Sequence, residues 1–176
     1  MNFLQKKKNE FSEGEELIGE FFKEKGIDYK TEVELKNLKG DTAPKRIADF
    51  YLPKYKVFLE FFGRWNVSKG DKERYLEKKS VYNLNNIPCI YLYPENLGII
   101  NFLFKRRLRQ LLKKRKDRKW QLVKFYWESF QEENIWGIVF ILILIFAVKG
   151  VWGYTFAVLV FIFMVYEFLK KDILRY

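Results

Sequence analysis

The sequence predicts an α/β fold: a small mixed sheet with helices on its faces, followed by a basic helix and a transmembrane helical hairpin. Three observations predict it. Helical and strand-like patterns alternate through the first 104 residues in the order helix, three strands, helix, strand, helix. Lys105 to Lys119 then carry ten Lys/Arg against the single Asp117, and from Ile135 to Tyr166 the only charged residue is Lys149. At 176 residues the chain has room for one domain of ordinary size and an appendage.

Residues 12 to 25 read as a helix, with Leu17, Ile18, Phe21 and Phe22 on one face and Gly26 ending it. Tyr29 to Leu38 alternates Val33 and Leu35 with charged residues, as a half-buried strand does. After the loop KNLKGDTAP, RIADFYLP and KVFLEFFG form two strands joined tightly at Lys54 and Tyr55, a hairpin. Residues 71 to 84 have helical composition, PCIYLYP is a short apolar strand, and the chain is helical again from Leu97 into the basic block.

Composition excludes several chemistries. With no histidine, the usual general base, the usual zinc ligand and every imidazole-dependent triad are gone. The single cysteine, Cys89, forbids an internal disulfide and any multi-cysteine zinc site. A metal held here by Asp and Glu oxygens alone would be a hard cation, Mg2+ first and Mn2+ second.

The net charge of +11 comes mostly from the block at 105–119, which reads as a surface for phosphates of nucleic acid or of anionic lipids, or as a solvated helix face. Beyond it, Lys149 and Gly150 divide the apolar run into IWGIVFILILIFAV and VWGYTFAVLVFIFMVY. Both are shorter than the roughly 20 residues that span a bilayer, and interfacial tryptophans and snorkelling lysines are expected to make up the difference. The expected organisation is a domain at 1–104, basic and amphipathic interfacial linker helices at 105–133, a hairpin at 134–169 and a basic tail at 170–176. Trp136, Phe146, Trp152 and Phe161 are the expected anchors among membrane lipids. The basic flanks put both termini and the first domain on the cytoplasmic side.

The hairpin carries the chemistry. With its turn centred between Lys54 and Tyr55, residue numbers of paired positions sum to 109, so Asp49 and Glu60 lie opposite one another with Cβ atoms about 5 Å apart. Two carboxylates so placed require a proton or a cation between them. Glu60 also interrupts VFLEFF, a run apolar on both faces, where an unpaired carboxylate is expensive. A structural ion pair with a lysine or arginine is the plainer reading of Glu60.

From Ser12 to Leu97 the chain resembles the PD-(D/E)xK nucleases of the restriction-endonuclease-like superfamily. SEGEELIGEFFKEKGIDYKTE looks like that core's first helix and strand, RIADFYLP like its aspartate strand and KVFLEFFG like its glutamate strand. KERYLEKKSVYNLNNIPCIYLY resembles the helix and last strand. The resemblance implies that Asp49 and Glu60 bind Mg2+ and that Glu15, or Glu16 if the helix is rotated, helps to orient the metal. Ser12 and Glu15 also have the spacing of a capping box. The family's lysine two residues after the glutamate is replaced by Phe62, and Lys78 on the next helix is the candidate substitute, with Lys79 and Arg64 behind it. Tyr75, one turn earlier, shares the helical face of Lys78. The activity implied is Mg2+-dependent endonucleolytic hydrolysis, of DNA ahead of RNA, at a membrane, with Arg64, Lys69, Lys72 and Lys79 holding the nucleic-acid backbone. The alternative is a catalytically inactive nuclease-fold protein that binds nucleic acid or recruits partners.

Overall fold

The computed structural model describes residues 12–147 and 151–174. They form two compact units that divide between Arg118 and Lys119.

The first unit opens with α1, Glu13–Glu24. Ser12 caps it in a complete capping box: Glu15 N–H donates to Ser12 Oγ, and Ser12 N–H donates to Glu15 Oε2 at 2.8 Å. Gly26, at φ +60, takes the left-handed conformation that ends the helix without Cβ strain. The sheet follows as β1 (Lys30–Lys36), β2 (Lys45–Leu52), β3 (Val57–Phe61) and, after the helix α2 (Lys69–Leu84), β4 (Cys89–Leu92). The strands lie side by side in chain order. β1, β2 and β3 pair antiparallel, whereas β3 and β4 are parallel, which is why a helix must connect them. A 3-10 turn at Pro94–Ile99 leads into α3, Ile100–Lys114.

Strand alternation assigns the two faces of the sheet. Phe50 on β2 turns to one face, where its ring meets Phe22 of α1 at 5.6 Å, and Phe22 meets Phe104 of α3 at 5.5 Å. Ile18, Ala48, Leu52, Leu59, Ile90 and Leu92 are buried in this core. The other face, carrying Asp49, Glu60 and Tyr91, is covered by α2. There Arg46 of β2 binds Asp41 through two nitrogens and Glu77 of α2 through one, tying the helix to the strand beneath it.

The basic block does not form one solvated surface. α3 buries Phe104, Leu108, Arg109 and Leu112, and three arginines of the block hydrogen-bond backbone carbonyls: Arg107 that of Tyr91, Arg115 that of Asn86, and Arg118 those of Tyr55 and Lys56. These arginines serve carbonyls of two turns and of the outer edge of β4 that the ladder does not pair.

The second unit consists of α4 (Lys119–Ala147) and α5 (Val151–Leu174). α4 kinks at Asn134, whose φ of −122° is non-helical and whose Nδ2 donates to Phe130 O at 3.0 Å. Phe130 is buried against Phe161 and Phe168 of α5. Phe130 thus turns inward, while Trp120, Val123 and Trp127 are exposed.

The expected transmembrane hairpin is overturned. Among the described residues no helix is long and apolar enough to cross a membrane. The physical reason is the length of the uninterrupted apolar stretches. α4 is interrupted by Lys119, Lys124, Glu128 and Glu132 before its kink, and from Asn134 to Ala147 it rises only about 20 Å, against roughly 30 Å of hydrocarbon. In α5 the uncharged run from Val151 to Tyr166 rises about 23 Å. The membrane localisation, the cytoplasmic orientation deduced from it and the anchoring roles of Trp136 and Phe161 fall with the hairpin. Lys149 and Gly150, where the chain was expected to turn, lie outside the described residues, as do the side chains of Phe146 and Trp152.

Close packing makes one glycine of the first unit indispensable. A Cβ on Gly14 of α1 would stand 2.2 Å from Cε1 of Phe61, a ring that is itself buried. Gly14→Ala is therefore expected to destabilise the protein by about 1–3 kcal/mol through overpacking. Gly70→Ala on α2, where a Cβ would meet nothing within 4 Å, is expected to be neutral or stabilising by up to ~1 kcal/mol. Denaturant melts of the two variants check both signs.

Candidate active site

The β2–β3 hairpin has the register expected from its turn: Phe50 pairs with Leu59, Tyr51 with Phe58 and Leu52 with Val57. The ladder ends there, one position before Asp49 and Glu60. Where the two strands part, Asp49 Oδ2 accepts the Phe61 N–H at 2.7 Å. The aspartate thus satisfies a backbone donor that the ladder no longer serves, and its own orientation is fixed by it.

Glu60 is 1% exposed, which makes its environment decisive. Both of its oxygens are engaged from α2. Lys78 Nζ donates to Oε2 at 2.5 Å, and the Tyr82 hydroxyl donates to Oε1 at 2.8 Å. Lys78 donates as well to Ile47 O at 2.7 Å, on the stretch of β2 that has left β3. One ammonium therefore bridges β2 and β3 at the point of their separation. Tyr82 lies one helical turn after Lys78 and shares its face. That i,i+4 spacing is the signal by which the sequence could have revealed Tyr82.

The electrostatics follow from burial. Glu60 is held up at about 8, against an ordinary 4.5, first by burial and then by the charge of Asp49, with Lys78 and Tyr82 pulling the other way. Asp49 is raised too, again mainly by burial, with Glu15 adding to the effect. Lys78 and the Phe61 N–H oppose it. Tyr82 is pushed up by burial and by Glu60, so its hydroxyl stays a donor. Ionised together, the two carboxylates would carry more negative charge than one lysine neutralises.

Glu15 stands near enough to act on Asp49 by charge, but its carboxylate is engaged by the Ser12 N–H as the cap of α1. Among the described residues no group of three or more carboxylates or thiols is placed to hold a metal ion. Glu16 is exposed on the same helix. Asp49 and Glu60 are the residues that would hold a hard cation here. Mg2+ is commonly held by one or two carboxylates with water and substrate phosphate completing its shell, and each carboxylate oxygen keeps a second lone pair. Their raised proton affinity marks the place where positive charge is wanted.

The other candidates lie apart from this pair. Arg64 and Arg74 both reach Asp71, near the start of α2, and Lys69 pairs loosely with Glu73 at 3.8 Å. Lys72 sits over the Trp65 ring at 5.2 Å and Lys79 over the Tyr91 ring at 5.2 Å. Phe62 is not an empty replacement for a lysine. Its ring stacks on Tyr75 at 4.3 Å, with Trp65 stacked at 6.0 Å and Tyr93 edge-on at 5.7 Å. Tyr75 lies one turn before Lys78, so this stack sets the helix that delivers the lysine.

Backbone strain is present at the same level of the sheet. Glu32 of β1 has φ +52, in the left-handed region, at the position that the β1–β2 register sets opposite Asp49. A non-glycine residue there costs about 1–2 kcal/mol. Such strain clusters at functional sites.

No family model matches the chain, and no curated protein and no solved structure matches it either.

A buried carboxyl with a raised proton affinity makes stability depend on pH in a fixed direction. The folded state holds the Glu60 proton up to about 8, while the unfolded chain releases it near 4.5. Stability is therefore present in full below about pH 4.5 and falls as pH rises towards 8, by at most about 1.4 kcal/mol per pH unit. Urea melts across this range without divalent cations should show the decline in the native protein and a flatter profile in Glu60→Gln.

Proposed function

We propose that the first unit is a divalent-metal-dependent nuclease that hydrolyses phosphodiester bonds, with DNA ahead of RNA as substrate. The observation that carries this reading is the convergence of two carboxylates and a lysine, from three separate elements, where β2 and β3 part. Asp49 comes from β2, Glu60 from β3 and Lys78 from α2. A purely structural ion pair needs one acid and one base. Here a second acid stands beside the first and raises its proton affinity, an arrangement unfavourable to folding and suited to a cation and a phosphate.

What a bound Mg2+ supplies is Lewis-acid stabilisation of the charge that grows on the phosphate. The chain's own groups do the rest. Asp49, fixed by the Phe61 N–H, and Glu60, fixed by Tyr82, offer oxygens in a geometry that does not reorganise during reaction. Lys78, 17% exposed, brings an ammonium to the boundary between the buried acids and solvent, where a phosphate oxygen can accept from it. A water attacking phosphorus in line passes its proton to a carboxylate of the pair, while the bond to the leaving oxygen breaks. Phe62 in the usual lysine position is consistent with this, because the charge arrives from the helix instead.

The assay is cleavage of plasmid and of single-stranded DNA and RNA by the full chain with Mg2+ or Mn2+. Asp49→Ala, Glu60→Gln and Lys78→Ala are each expected to lower the rate about 100-fold or more, and Tyr82→Phe by less. Cleavage that survives both acid substitutions, or no cleavage by the folded native chain with either metal, refutes the proposal.

A further inference from the structure

At the β4 edge of the sheet, α2, β4 and α3 line an open cavity of about 490 Å3, within the roughly 300–1,000 Å3 range of small-ligand sites. Its walls include Tyr91 and Tyr93 at the end of β4, Lys79 of α2, and Arg107, Gln110 and Lys114 of α3. No carboxylate lines it; Glu95 acts on Arg107 from beyond the wall.

The lining divides into an aromatic part and a cationic part. Lys79 Nζ sits over the Tyr91 ring, 5.2 Å from its centre, and the Arg107 guanidinium over the Tyr93 ring at 6.0 Å, so each charge is held against a ring. Arg107 is fixed through Nη1 by Tyr91 O and by Asn96 Oδ1, which anchors one end of a group with five N–H donors. Desolvation pulls its proton affinity down, as for a cation that wants an anion. The Tyr91 hydroxyl, buried in this wall, has no oxygen or nitrogen partner among the described residues and stands beside the Cys89 thiol, a weak acceptor.

We propose that this cavity binds a nucleoside phosphate, its base against the Tyr91 and Tyr93 rings and its phosphate at Lys79, Arg107 and Lys114. Stacking tolerates any base, and the cations recognise phosphate without reading sequence. The site is separate from the Asp49–Glu60 pair and needs neither its metal nor its activity. The nucleoside phosphate has two possible sources, a free nucleotide or one unit of a single strand.

Calorimetric titration of the full chain without divalent cations tests it, with adenosine monophosphate, ribose 5-phosphate, inorganic phosphate and a short phosphorothioate oligonucleotide as probes. Adenosine monophosphate is expected to bind about tenfold more tightly than ribose 5-phosphate, the difference being the stacked base. Lys79→Glu with Lys114→Glu should weaken it at least about tenfold, and exposed Lys114→Glu alone should weaken it in the same direction. Asp49→Ala and Lys72→Glu should leave it unchanged, which separates this site from the proposed catalytic one. An oligonucleotide that binds more tightly than the mononucleotide and displaces it identifies a strand as the source; a mononucleotide that the oligonucleotide cannot displace identifies a free nucleotide. Absence of binding by every probe overturns the proposal, as does affinity unchanged in lysine variants that keep the native circular dichroism spectrum. Equal affinity for adenosine monophosphate and inorganic phosphate overturns the role of the rings.

Discussion

A carboxylate at the centre of an apolar sheet is the constraint on which the arrangement of the first unit depends. Glu60 cannot be buried on β3 alone, because desolvation of a lone carboxylate costs several kcal/mol. It needs donors, and they come from α2, which must therefore lie over the β2–β3 seam with the face bearing Lys78 and Tyr82 turned down. The Arg46–Glu77 pair and the Phe62–Tyr75 stack hold the helix in that position from two sides. Asp49 then adds a second acid to a site already satisfied, and that surplus distinguishes the constellation from an ordinary buried ion pair.

Much of this was legible in the sequence, for physical reasons that differ between residues. The hairpin register could be read because alternation and turn position both fix it, and a slip by one residue would have turned Ala48, Phe50 and Leu52 out of the core. Glu60 was conspicuous because it breaks an apolar run. Lys78 was named through the resemblance, as the substitute for a lysine absent at Phe62, since most lysines on such a helix face solvent and nothing local marks this one. Tyr82 was overlooked because a tyrosine amid helical residues reads as core, and nothing local marks its hydroxyl as the partner of an acid twenty-two residues earlier. Glu15 had two readings, and the capping box engages its carboxylate in forming the helix.

The less legible features were those in which composition stands in for geometry. The basic block reads as one uniform charge, yet Arg107, Arg115 and Arg118 hydrogen-bond carbonyls of their own chain. The apolar run reads as a membrane segment because its residue types are right. What decides the matter is the uninterrupted apolar length along each helix, and the kink at Asn134 and the polar residues of α5 limit it. The membrane reading counts side chains without asking what each helix as a whole can span.

β1 forms the outer edge of the sheet, and its character bears on how the protein behaves in a crowded solution. Its exposed positions are Lys30, Glu32, Glu34 and Lys36, and its backbone is interrupted at Glu32 by a left-handed residue. A strand from another molecule would meet charges of both signs and a left-handed residue midway along. β4 at the opposite edge is only four residues long. Neither margin is a good template for strand addition, so edge-to-edge aggregation of the sheet is disfavoured. The same strained residue that stands opposite Asp49 thus protects the fold from polymerising through its own sheet.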